Sequence, residues 1–111
     1  MPPENGEGKV EYKFKLIKVT PLKIKKLTTQ MLYRFIQGNG EAEYYLGIMD
    51  NGKVIGLNEN ELNTTINYIL DCIYYLNAYY TDLNIFKQDN LNYCAHIKIY
   101  KNELPNSKIE L

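Results

Sequence analysis

Residues 43 to 57 read EYYLGIMDNGKVIGL, two apolar arms around Asp50-Asn51-Gly52 with one glycine in each arm. An Asn-Gly pair between alternating arms predicts a hairpin with a two-residue loop, because both central residues of that turn take positive φ and its hand matches strand twist. The register then follows by counting. Asp50 falls opposite Lys53, Ile48 opposite Ile55, Leu46 opposite Leu57, and Gly47 opposite Gly56 on the other side of the ribbon. Two glycines facing each other leave a strip of bare backbone, which predicts either a bulge or a partner that must approach closely.

The 111 residues suffice for one domain and are too few for a GTPase or a two-domain enzyme. Thirteen basic and thirteen acidic residues cancel, so no global field selects nucleic acid or membrane. Seven lysines (Lys9, Lys13, Lys15, Lys18, Lys23, Lys25 and Lys26) fall in the first quarter, a basic flank on a neutral domain. The excess of Lys, Asn, Tyr and Ile is what A+T-rich codons produce, so tyrosine richness alone does not argue for base stacking. Cys72 and Cys94 lie far apart with no histidine at ligand spacing, which predicts no zinc site and a reduced intracellular setting. No apolar run reaches membrane-span length, and residues 1–8, without a signal-peptide core, read as a disordered lead-in.

Along the chain, alternation from Glu11 to Ile17 predicts a strand with Tyr12, Phe14 and Leu16 inward. Thr20-Pro21 opens a helix that Gly38-Asn39-Gly40 stops, with Leu27, Met31 and Phe35 buried. The hairpin spans 41–57, with Ala42, Tyr44, Leu46, Ile48, Ile55 and Leu57 inward. Asn58 and Glu61 make a capping-box pattern before a helix whose stripe runs Leu62, Ile66, Ile69, Ile73, Leu76 and Tyr80. Leu83–Lys87 and Tyr93–Lys101 read as two further strands. The expected fold is α+β, in the order β-α-β-β-α-β-β, a mainly antiparallel sheet with two helices on one face. Its open face would carry Glu11, Lys13, Lys15, Glu43, Tyr45, Gly47, Gly56, His96, Lys98 and Tyr100.

No GxxxxGK[ST] loop and no NKxD occur, so the chain has no P-loop for a nucleotide. The only histidine, His96, has no neighbouring Ser or Cys nucleophile in the pattern. It reads first as a strand residue and second as a contact to nucleic acid or phosphate. Asp50 pairs most simply with Lys53 across the turn.

The segments VEYKFKL, LTTQMLYRFIQGNGEAEYYLGIMDNGKVIGL and ELNTTINYI together resemble the N-terminal region of the eukaryotic GTP-binding proteins one and two, translational-type GTPases related to elongation factor Tu and elongation factor 1-alpha. The motifs EYK, TQM and GxGEAxYxIGVxDNGxxxGL carry the resemblance, with Ile48 and Met49 as departures. It implies a parent whose G domain lies C-terminal, using GTP and magnesium in translation or messenger-RNA quality control. Residues 9–103 would then be a non-catalytic accessory domain that holds no cofactor, and 104–111 a tail towards that G domain. The implied partners are the parent G domain, RNA or the ribosome, in the cytoplasm and away from membranes. The expected binding surface is Lys13, Lys15, Tyr45, Gly47, Gly56, His96, Lys98 and Tyr100. A wider resemblance to the Schlafen AlbA-like domains implies an alternative, a metal-dependent ribonuclease, onto whose acidic positions Glu11 and Asp50 fall; the acid expected five residues before Glu11 meets Gly6. The strand parities separate Glu11 from Asp50 and disfavour that reading. A purely structural domain packed on the G domain is the third.

Overall fold

The computed structural model describes residues 1–102; the expected tail at 104–111 lies outside the described residues. Strand β1 (Val10–Lys13), helix α1 (Pro21–Gln37), strand β2 (Glu41–Leu46), helix α2 (Glu59–Tyr75), strand β3 (Tyr79–Lys87) and strand β4 (Tyr93–Tyr100) follow in order. The fold is α+β, as expected. The sheet order is β1-β2-β4-β3; β1 and β2 are parallel and the other two pairs antiparallel. Both helices pack on one face, where Leu27, Met31, Phe35, Leu62, Ile66, Ile69 and Ile73 close over Tyr44, Leu46, Ile97 and Ile99.

The helix ends are where local chemistry puts them. Thr20 accepts a hydrogen bond from the Lys23 amide and Pro21 opens α1; Asn58 and Glu61 exchange both capping-box bonds at the start of α2. The far end of α2 differs from expectation. Its apolar stripe suggested helix as far as Tyr80, but Asn77 takes φ +54° and the Ala78 amide donates to the Ile73 carbonyl, a left-handed cap that ends the helix at Tyr75. Tyr80 therefore belongs to β3, which begins four residues before the expected Leu83.

The hairpin is also revised. Only Gly52 of the pair takes positive φ, and Asp50-Asn51-Gly52 form a three-residue loop closed by Met49 N–H to Lys53 C=O at 3.0 Å and Gly52 N–H to Met49 C=O at 2.8 Å. The register slips by one, so Ile48 bridges Val54 rather than Ile55. A bulge then undoes the slip: the Gly47 carbonyl accepts from both Ile55 and Gly56, which brings the two glycines together after all. Past it the return arm leaves β2, and Leu57 pairs with Tyr93 instead of Leu46. β4 takes the place beside β2, so the return arm of the hairpin, the third of the five expected strands, is reduced to isolated bridges.

Residues 1–8, expected to be a disordered lead-in, instead form a strap along the outer edge of β1. Glu4 N–H donates to the Asp50 carbonyl at 2.7 Å, the Glu4 carboxylate accepts from the Tyr12 amide at 2.6 Å, and Arg34 and Tyr33 of α1 donate to carbonyls of Asn5, Gly6 and Gly8. Among the described residues no helix is long and apolar enough to cross a membrane.

Candidate functional site

The expected open face divides. Tyr45, His96, Lys98 and Tyr100 do lie together on β2 and β4, away from the helices, as the register Tyr45↔His96 requires. Tyr45 stacks on His96 with ring centroids 4.4 Å apart, and His96 Nε2 sits 2.9 Å from Glu43 Oε1. Lys9 reaches both Glu41 and Glu43, and Lys98 stands opposite Asp82 of β3. Burial works to raise the Glu43 carboxyl, but its contacts with His96 and Lys9 outweigh that and hold it below the usual carboxylate range. This face is aromatic and charge-balanced, with Lys9 and His96 set beside carboxylates.

Glu11, Lys13 and Lys15 are not on it. β1 pairs with β2 so that Glu11 stands beside Tyr44, on the helix side, while Tyr12 stands beside Tyr45. The expected parity of β1 is inverted. Alternation with Phe14 and Leu16 suggested Tyr12 inward, but the strand stops at Lys13 and those two residues reach the core from the following segment. Glu11 enters the interior because Arg34 meets it there: Nε lies 2.7 Å from Oε1, with the two residues 3% and 1% exposed. Lys13 Nζ takes the second oxygen of Glu11 at 3.2 Å, and Lys15 pairs with Glu61 on α2. Tyr12 packs instead with Ile48 and Cys94 in a small second cluster on the opposite face. Ile48 was expected with the main core, and the positive φ of Gly47 breaks the alternation that would have put it there.

Gly47 and Gly56 meet, but what approaches them is this chain. A side-chain carbon on Gly47 would lie 3.1 Å from the Tyr93 carbonyl oxygen and 3.2 Å from Cys94 Sγ; one on Gly56 would lie 2.8 Å from Asn92 Cβ. The bare strip is where the hairpin crosses the start of β4.

The acids of the ribonuclease alternative are closer than the sequence suggested, through a residue it did not single out. The strap brings Glu4 beside Glu11 and Asp50; burial and those two carboxylates push the Glu4 carboxyl up, against the hydrogen bond from the Tyr12 amide. Yet both oxygens of Glu11 are engaged by Arg34 and Lys13. Among the described residues no three His, Cys, Asp or Glu side chains are placed to hold a metal.

A group of cations without a carboxylate partner gathers near the start of α1. Lys18, Lys23, Lys25 and Lys26 are exposed and make no ion pair among the described residues, and α1 contains no acidic residue. Beside them run two shallow apolar depressions of about 540 and 510 Å³, which share Lys25 and Thr29; Tyr75 lines the first and Tyr33 the second. Sequence had marked the lysine run as a flank; in the structure Lys18 precedes α1, Lys23 lies in its first turn, and Lys25 and Lys26 line the depressions.

No family model matches the chain, and no solved structure gives a significant match. Among curated proteins, GTP-binding protein 2 of Mus musculus and of Homo sapiens are each 41% identical to it over 66 residues, 60% of this chain and 11% of theirs. Uncharacterized protein R625 of Acanthamoeba polyphaga mimivirus is 33% identical over 78 residues, 69% of this chain and 42% of that protein. The chain thus spans less than half the length of each of these relatives, and the resemblance first seen in the residues is a sequence relationship to GTP-binding protein 2.

Proposed function

We propose that this chain is an accessory binding domain of a translational-type GTPase, and that it contacts RNA, in the setting of the ribosome, through the lysine face of α1. The observation that carries the first part is the extent of the match: 60% of this chain aligns with 11% of GTP-binding protein 2, while its own sequence has no phosphate-cradling GxxxxGK[ST] loop. The appearance of a similar stretch in R625, where it makes up 42% of the protein, fits a module used in chains of different length.

The RNA surface moves from the open sheet face to α1 for electrostatic reasons. Salt-dependent binding to phosphates requires cations free to displace counterions, and Lys13 and Lys15 are already paired. Lys23, in the first turn of α1, opposes the helix dipole at a few tenths of a kcal/mol, and Lys25 and Lys26 follow on a helix with no acidic residue, so the three suit an anionic ligand. Tyr33 and Tyr75 at the rims supply surfaces on which an unpaired base can stack, as in single-strand binding. The charge-balanced sheet face fits the parent protein's G domain better than it fits RNA.

The test is filter binding of single-stranded RNA and of ribosomes across a salt series. Lys25→Glu with Lys26→Glu should weaken binding and reduce the slope of log affinity against log salt by about 1.5 for single strands; the same exchanges at Lys13 and Lys15 should leave that slope in place. Binding indifferent to the α1 pair would overturn the RNA assignment. Cleavage of the RNA that needs Mn²⁺ and is lost in Glu4→Gln or Glu11→Gln would replace it with the ribonuclease.

A further inference from the structure

We infer that β3 is an assembly edge, and that it pairs antiparallel with β3 of a second copy of this chain about a two-fold axis at Asn84; this stands independently of the RNA reading. The sheet has two edges, β1 and β3, and they are treated differently. β1 has four residues, two of them buried, and the strap lies along it with the Glu4 carboxylate accepting from the Tyr12 amide. β3 has nine residues, of which only Leu83 is even half-buried, and among the described residues nothing covers its outer side. Tyr79, Tyr80, Ile85 and Phe86 are 46, 44, 51 and 51% exposed. An uncovered edge with large apolar side chains on both faces is the template that soluble proteins otherwise guard with proline, inward charge or extreme shortness. The run Asp82–Lys87 has no proline and carries its only charges at its two ends, Asp82 and Lys87, with a bulge just before it; the four residues between are uncharged.

The occupant follows from the register. Asp82, Asn84 and Phe86 stand opposite Lys98, His96 and Cys94 and so face away from the helices; Leu83 and Ile85 stand opposite Ile97 and Ala95 and face the helix side. Opposed residues in a continuing sheet share a face, so a two-fold at Asn84 sets Leu83 against Ile85 of the second copy and Asp82 against Phe86, each twice. No like charges meet, and the zero net charge of the chain leaves no long-range repulsion between copies. Of the four large side chains, Ile85 and Phe86, each 51% exposed, fall within the paired run, while Tyr80 and Tyr79 fall opposite Gln88 and Asp89 past its end. Even with the strand backbone, so short a contact lies at or below the lower end of specific interfaces. The dimer should therefore be concentration-dependent.

Sedimentation equilibrium of the whole chain, from low micromolar to near-millimolar concentration, tests this. The wild type should move from monomer towards dimer. Asn84→Asp and Asn84→Lys each place like charges face to face at the axis and should weaken the dimer about fivefold or more. A mixture of the two variants sets Asp against Lys and should restore it. Residue 84 is exposed, so both variants should keep the wild-type melting temperature, and each serves as the fold control for the other. A chain that stays monomeric throughout, or a dimer that ignores both substitutions, would overturn the inference and leave the edge for a segment of another protein.

Discussion

Gly47 shows how much one backbone torsion controls. At φ +86° it ends the regular alternation of β2, lets one carbonyl serve both Ile55 and Gly56, and turns Ile48 out of the main core into the cluster with Tyr12 and Cys94. β-propensity alone would favour valine at such a position; the structure reverses that sign. Gly47→Val would force a β-branched residue into the left-handed region and press it against the Tyr93 carbonyl. It should destabilise the chain by about 2 kcal/mol or more, read as a fall in the midpoint of urea unfolding. A melting temperature equal to or above wild type would show that the hairpin can relax its bulge.

The elements depend on one another through a buried ion pair. Arg34, near the end of α1, holds Glu11 of β1 and donates to carbonyls of Asn5 and Gly8 in the strap, so a single guanidinium joins helix, strand and edge cover. Removing Arg34 strips the buried Glu11 of its closer partner and leaves it only the half-buried Lys13 as counter-ion. Arg34→Leu should cost ~3–5 kcal/mol, and adding Glu11→Leu should recover much of that loss. Limited proteolysis separates a local from a global effect: the single variant should be nicked within residues 1–8 under conditions where the wild type resists. Equal resistance of both would mean that the strap does not need Arg34.

For the whole molecule, α1 packs over β2 and α2 chiefly over β4, the sealed edge is β1, and β3 extends from the other side of the sheet with its residues largely exposed. The lysine face of α1, the aromatic face of the sheet and the β3 edge are three separate surfaces, which suits a module that joins other bodies. Isothermal titration with GTP and GDP in the presence of magnesium should show no binding by this chain alone. Micromolar affinity would place nucleotide chemistry within these 111 residues and remove the accessory-domain reading.

What could be read without coordinates was local. Thr20-Pro21 and Asn58 with Glu61 start helices by satisfying amides within four residues, and the stripe Leu62 to Ile73 announces its buried side through the helical period. The parity of β4 was legible for the same reason, the alternation that runs from Ala95 to Tyr100. Glu11, Ile48 and the glycine pair depended on distant partners. A carboxylate reads as solvent-facing until Arg34 is known to stand above it, since only pairing makes its burial tolerable. Which strand lies beside β2 was likewise a competition between the return arm of the hairpin and β4, separated by dozens of residues, and tertiary packing decided it. Only the assembled sheet shows the contrast between a strapped edge and a naked one, because an edge is a property of strand order and not of any strand's sequence.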